Sequence, residues 1–224
     1  MKVYAHYASP KTHPEIKNEY RWRTLLQFGT SWEVIGSVVM KNPGSAVPLT
    51  PDKPIEDEEI LCHLRPFCSE HDWFEFDFKR DSTIYRIKEL FSAYNEAKLR
   101  IPDINGVIQI FNLMNVRDPD LEKALIKNKK EVLPFSRTTD KDIKQMIAPV
   151  YLGWGDLGND SLFIEDAKKL FNVVYNELEG KYLHANFEEN TFRHPLYLMQ
   201  YGKNTPDGKY LLHAFCQNTE NPSY

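Results

Sequence analysis

Apolar positions along the chain follow two rhythms. "EYRWRTLLQFG" (19–29) and "SWEVIGSVVM" (31–40) are rich in β-branched and aromatic residues and read as strands. The run from Val34 to Met40 is apolar on both faces, as in a central strand covered on each side. "GVIQIFN" (106–112) and "APVYLGWG" (148–155) repeat that pattern, and "KYLHAN" (181–186) is a weaker fourth. Between them the period changes to that of helices. "STIYRIKELFSAYNEAKL" puts Ile84, Ile87, Leu90, Phe91 and Tyr94 on one stripe behind a capping Ser82 or Thr83. "DPDLEKALIKNKK" opens with Asp118 and Pro119 at cap and first-turn positions, and "TTDKDIKQMI" is a further helical segment. "SLFIEDAKKLFNVVYNEL" aligns Ile164, Ala167, Leu170, Phe171 and Val174.

Strands alternating with helices of these lengths predict an α/β fold: a three-layer α/β/α sandwich around a mostly parallel sheet with right-handed crossovers. Residues 47–80 break the alternation. There Phe74, Phe76 and Phe78 alternate with Glu75 and Asp77, which predicts an inserted helix and hairpin within a single domain spanning 1–224.

Composition narrows the functional classes. The 224 residues are 42% hydrophobic and 13% aromatic, enough for a substantial core. A net charge of −4 provides no global basic field for loose binding to a phosphate backbone, so any nucleic-acid contact needs a local patch. "KALIKNKKEV" with Lys141 and Lys144 is diluted by Glu122, Glu131 and Asp142 and reads as a solvated face. The N-terminal twenty residues read as a polar segment without an apolar signal region, and no run approaches a membrane span, so a soluble, cytoplasmic protein with no membrane partner is expected. Cys62, Cys68 and Cys216 are an odd set that reads as reduced thiols. Cys62 and Cys68 with His71 could supply zinc ligands, but the gap between the cysteines is too wide for the usual pairing, and no metal or cofactor is expected.

In open sheets of this class ligands bind outside the carboxyl ends of the strands. Asn42-Pro43-Gly44, Asn112 with Arg117 and Asp118 behind it, Gly153-Trp154-Gly155, and Arg193-His194-Pro195 after the weak fourth strand all arrive at such ends. Asn offers a donor and an acceptor suited to a nucleobase edge or a water, and His194 can donate to a developing anion or act as acid or base. Trp154 can stack on a planar ligand, and Arg117 can pair with a phosphate or carboxylate. Each also has a structural role open to it: Asn112 as a cap, Trp154 as core, Arg117 in an Arg-Asp pair, His194 as a satisfied histidine. The chain has neither nucleotide-loop glycine pattern, and "GWGDLG" has the wrong spacing. It also lacks the Gly-x-Ser-x-Gly elbow of serine hydrolases.

Taken in order, these motifs resemble the bacterial family catalogued as domain of unknown function 1643. The resemblance rests on "VVMKNPGSA", "DSTIYRI" beginning at Asp81, "IFNLMNVRDPD", "YLGWGDLG" and "RHPLYL" across roughly residues 20–200. The chain departs from it at Gly44, where the family has Ser, at Ser82, where it has Pro, and in the insertion before Asp81. It is more distantly similar to the uracil-DNA glycosylase superfamily, some of whose members carry Gly-x-Asn-Pro-Gly after the first strand. That resemblance implies that Asn42 positions a water, Asn112 reads a base and His194 stabilises the departing base; Lys41 and Leu196 depart from the pattern. The expected function is a glycosylase-like hydrolase or binding domain, with Asn42 and His194 catalytic and Asn112, Arg117, Trp154 and Asp81 holding substrate. Its expected partner is a nucleic acid or a nucleotide. The alternative is a non-catalytic binding or interaction domain.

Overall fold

The structure is a computed structural model that describes residues 1–68, 72–77, 81–101, 103–158, 160–178, 184–201 and 204–216. Its centre is a six-stranded sheet in the order β4-β1-β2-β5-β3-β6. The strands are β1 (Lys2–Ala8), β2 (Tyr20–Phe28), β3 (Val34–Met40), β4 (Trp73–Glu75), β5 (Gly106–Asn112) and β6 (Val150–Leu152). The α/β class holds, but the sheet is mixed rather than mostly parallel. β1 pairs antiparallel with β2 and β4, and β2 with β5; only β3 pairs parallel, with β5 and β6. The cause is the short link between β2 and β3, residues 29–33, which cannot hold the crossover of a dozen or more residues that a parallel return needs.

The N-terminal residues read as polar are β1, buried from Val3 to Ala8 because tyrosine, histidine and alanine fill its inward positions. Residues 47–80 give helix α1 (Glu58–Leu64) and β4, which extends the main sheet beside β1 instead of forming a separate hairpin. Phe78 and His71 lie outside the described residues. Of the weak fourth strand, 181–183 also lie outside, and 184–186 are irregular and lead into a 3-10 turn at Phe187–Glu189.

Helices cover both faces of the sheet. Helix α2 (Ser82–Leu99) lays Ile84, Ile87, Leu90 and Phe91 on the first face, together with α6 (Pro195–Gln200) and α7 (Pro206–Cys216). Helices α3 (Leu121–Lys130) and α5 (Ser161–Glu177), with the short α4 (Asp140–Ile143) between them, pack on the second. The α2 cap is Asp81, one residue before the expected Ser82, and Asp120 rather than Asp118 caps α3.

Two features of this wiring prepare a site. After β3 the chain passes through α1 and β4 and returns to β5 through α2 on the first face, whereas it leaves the adjacent β5 for α3 on the second, so a crevice opens between the carboxyl ends of β3 and β5, as at the switch point of a doubly wound sheet. Strand β2 also carries a bulge. Ala5 faces Thr24 but His6 faces Trp22, so Arg23, at φ 45, is the extra residue. Trp22 and Arg23 therefore both turn to the second face, where Trp22 stacks 4.4 Å from Phe135 and Arg23 lies 4.7 Å from the Phe111 ring. Arg21 and Thr24, opposite Tyr7 and Ala5, share the first face.

Close contact between α2 and β3 depends on Gly36. A Cβ there would meet the Phe91 ring at 2.3 Å and the Pro149 carbonyl oxygen at 2.9 Å, on a backbone with φ +156. Gly36→Ala is expected to destabilise the fold by about 1–3 kcal/mol, the usual cost of overpacking, read as a lower denaturation midpoint.

Candidate functional site

Three parallel carboxyl ends and the amino end of β2 meet at one edge of the sheet. Asn42 follows β3, Asn112 ends β5, and Arg21 is the second residue of β2. His194 comes from further away. After α5 on the second face the chain crosses this edge to reach α6 on the first, and His194 is the N-cap of α6. The crossing is pinned where it passes β6. The Gly155 amide donates to the Phe192 carbonyl at 2.6 Å, and the Tyr151 hydroxyl donates to the Arg193 carbonyl at 2.7 Å. Pro195 Cδ lies 2.9 Å from where a side chain on Gly153 would begin, so the loop passes too close for any residue but glycine there.

The result is a cavity of about 610 Å³ whose wall includes Arg21, Thr24, Asn42, Asp81, Asn112 and His194. A second cavity of about 950 Å³, more apolar and lined by Trp154, Phe187, Leu196 and Tyr197, lies beside it. Asn42 and His194 line both and form the ridge between them. Of the residues expected from the sequence, Asn42, Asn112, Asp81 and His194 are thus gathered on one cavity.

The Asn42 side-chain amide donates to the Asp118 carbonyl at 3.0 Å and the Pro43 carbonyl at 3.3 Å, which ties the loop after β3 to the loop after β5. Its Oδ1 accepts no hydrogen bond among the described residues. Asp118 is held in turn by Lys127 at 2.6 Å, and that bond keeps its carboxyl below the usual range. Asn112 is 3% exposed, and its carboxamide makes no hydrogen bond among the described residues. Asp81 uses Oδ1 to accept the amides of Thr83 and Ile84, at 3.0 and 3.4 Å.

His194 Nδ1 accepts the Leu196 amide at 3.3 Å, so the neutral ring carries its proton on Nε2. Burial pushes the ring down to about 4, opposed by Asp81 and reinforced by Lys41. At pH 7 it is a neutral donor. Lys41, next to Asn42, is also lowered by burial, and its ammonium donates to the Asp156 carbonyl.

Arg117 and Trp154 stand elsewhere. The Arg117 guanidinium bonds Glu19 and the carbonyls of Ser45 and Ala46, so it is a strut that fixes the Asn-Pro-Gly loop rather than a ligand group. Trp154 is 1% exposed and packs 4.6 Å from Phe192 and 6.4 Å from Phe187, so it is a wall of the second cavity rather than an open stacking platform. Sequence reasoning missed Arg21 and Thr24. Arg21 is 8% exposed and lies 5.4 Å from the Phe76 ring; its Nε has no hydrogen-bond partner. Burial lowers it to about 10, offset by Asp81, which still leaves it a cation at pH 7. The Thr24 hydroxyl is also buried without a partner. Alternating charged and apolar residues in "YRWRTLLQF" were the available signal, but only the bulge decides which arginine faces the cavity. Among the described residues no three His, Cys, Asp or Glu side chains gather as a metal site, and no helix is long and apolar enough to cross a membrane.

A pH titration tests the burial of His194. Its ordinary value is 6.5, and folding lowers it to about 4, so its contribution to stability is complete above pH 6.5 and is lost as pH falls towards 4. His194→Asn keeps an N-cap but removes the titration. The melting temperature of the wild type should fall more steeply than that of the variant over this window, by an amount equivalent to about 1–3 kcal/mol. Parallel curves would mean that the imidazole is freely solvated.

Comparison of the chain with family models, with curated proteins and with solved structures returned no match.

Proposed function

We propose that the edge of the sheet is a glycosylase-like site that binds a nucleobase or nucleotide and hydrolyses its N-glycosidic bond, on a fold akin to the uracil-DNA glycosylase superfamily and the domain of unknown function 1643 family. The observation that carries this reading is the convergence of two carboxamides and a neutral imidazole on one cavity at the switch point. Helices on both faces and the parallel run β5-β3-β6 support the fold likeness. The chemistry divides among the residues. Asn42 Oδ1, with its amide committed to the Asp118 carbonyl, is left to accept from a water, whose oxygen attacks the anomeric carbon. The bond to the base nitrogen breaks, its electron pair leaves with the base, and the proton that the attacking water sheds passes through solvent to the released base. His194 Nε2–H donates to the negative charge developing there, which a neutral donor in a partly buried site stabilises without adding a charge of its own. Asn112 can pair with a base edge through its free donor and acceptor.

One observation favours a second reading, a binding domain without catalysis: the Asn42 amide is a crosslink between two loops, a structural duty that explains Asn-Pro-Gly without any water. A release assay separates the two. DNA and RNA oligonucleotides containing uracil, hypoxanthine or bulky modified bases, together with free nucleosides and nucleotides, are incubated with the protein and free base is measured. Asn42→Ala and His194→Asn should each lower release by roughly 10²–10³-fold. The crosslink makes Asn42→Ala about 1 kcal/mol less stable as well, a loss too small to unfold an ordinary domain. No release from any substrate, with nucleotides raising the melting temperature, would leave the binding domain.

A further inference from the structure

Among the described residues Arg21 is the one cation placed deep in the wall of the smaller cavity. Arginine keeps its charge in any accessible pH range, and a buried charge is expensive unless something of opposite sign faces it. Among the described residues no carboxylate forms an ion pair with Arg21 and its Nε has no hydrogen-bond partner; its guanidinium lies over the face of Phe76. The described carboxylates on the same wall, Asp77, Asp81 and Asp118, form no ion pair with Arg21. Asp118 holds Lys127, and Asp81 caps α2 and influences Arg21 only from beyond ion-pair distance. Two further polar groups on the cavity are also unanswered: the Thr24 hydroxyl, buried with no partner, and the Asn112 carboxamide.

The bulge at Arg23 is what brings these together. Without it Arg21 and Thr24 would project from opposite faces of β2. A non-glycine residue held at positive φ in a strand is strain that concentrates at functional positions. Here that strain places a guanidinium and a hydroxyl side by side, with a carboxamide on the next strand.

We propose that Arg21, Thr24 and Asn112 form an oxyanion-binding subsite, and that the ligand is a free mononucleotide whose phosphate monoester meets the Arg21 fork. This deepens the proposed function and rests on it only for the base half of the ligand. A free nucleotide is favoured over a polymer because Arg21 is 92% buried and the chain carries a net charge of −4, whereas backbone phosphates are gripped by exposed basic patches. A cavity of about 610 Å³ is in the range that encloses a molecule of this size. Asp81, with Oδ2 uncommitted among the described residues, offers an acceptor for a sugar hydroxyl or an exocyclic amine.

Calorimetric titration and thermal shift with uridine and adenosine 5′-monophosphates, their nucleosides, inorganic phosphate and a single-stranded oligonucleotide test this on the whole chain. Monophosphates should bind roughly 10–100-fold more tightly than nucleosides, the ratio shrinking as salt rises. Arg21→Met should abolish that preference and melt at or above the wild-type temperature, because an unpaired buried charge has been replaced by an apolar side chain. If the methionine variant does not fold, Arg21→Lys keeps a charge without the fork and should reduce the preference. The proposal is overturned by equal binding of nucleoside and monophosphate, by no binding of either, by preference for the oligonucleotide, or by an Arg21→Met protein that keeps the preference. Base release that Arg21→Met leaves unchanged would sink the subsite but not the hydrolytic reading. Phosphate preference without base release would do the reverse.

Discussion

A sheet covered on both faces has only its edges left for chemistry. Here three hydrophobic clusters bury β2, β3 and β5 from either side, so the polar groups of the candidate site reach a solvent-connected space where strands end. The direction of the crossovers then selects which end. Helix α2 departs to one face and α3 to the other, which leaves the gap between β3 and β5 unroofed. Asn42, Asn112, Asp81 and His194 line the cavity at that gap, where the chain turns between covered strands and helices.

Electrostatics follow from the same burial. Desolvation disfavours the charged forms of two basic groups beside the cavities: His194 is neutral and Lys41 is depressed. Arg21 alone cannot discharge. The surrounding ion pairs, Arg117 with Glu19 and Lys127 with Asp118, are arranged around the loops rather than in the cavity, and they hold the walls still. A rigid rim around an unanswered cation is pre-organisation of the kind that lowers the ordering cost of a ligand.

Local patterns were legible in the sequence, and pairings were not. The stripe through Ile84, Ile87, Leu90 and Phe91 fixed the extent of α2, and "GVIQIFN" gave β5 over its whole length, since each signal is complete within one element. Strand β1 hid behind Tyr4, His6 and Tyr7, whose polar atoms mask how deeply their rings are buried; His6 sits between Trp22 and Trp73. The antiparallel half of the sheet follows from the short link at 29–33, but the strand order depends on β5 slotting between β2 and β3, a non-local choice that no periodicity records. In the site, Asn42, Asn112 and His194 could be picked out because they sit at strand or helix ends, where turn chemistry is readable. Arg117 and Arg21 could not be told apart, because one of them is answered by the carbonyls of Ser45 and Ala46 and the other is not.

Strand β2 is, in effect, two half-strands out of phase by one residue. From Tyr20 to Trp22 the side chains alternate on one beat, and from Thr24 to Phe28 on the other, with Arg23 absorbing the slip. Removing Arg23 would restore a single beat and leave Arg21 and Thr24 on the face they now share. Straightening the strand with Arg23 still in it would instead turn one half over to the opposite face. The slip, rather than any one side chain, therefore sets which residues of β2 line the cavity.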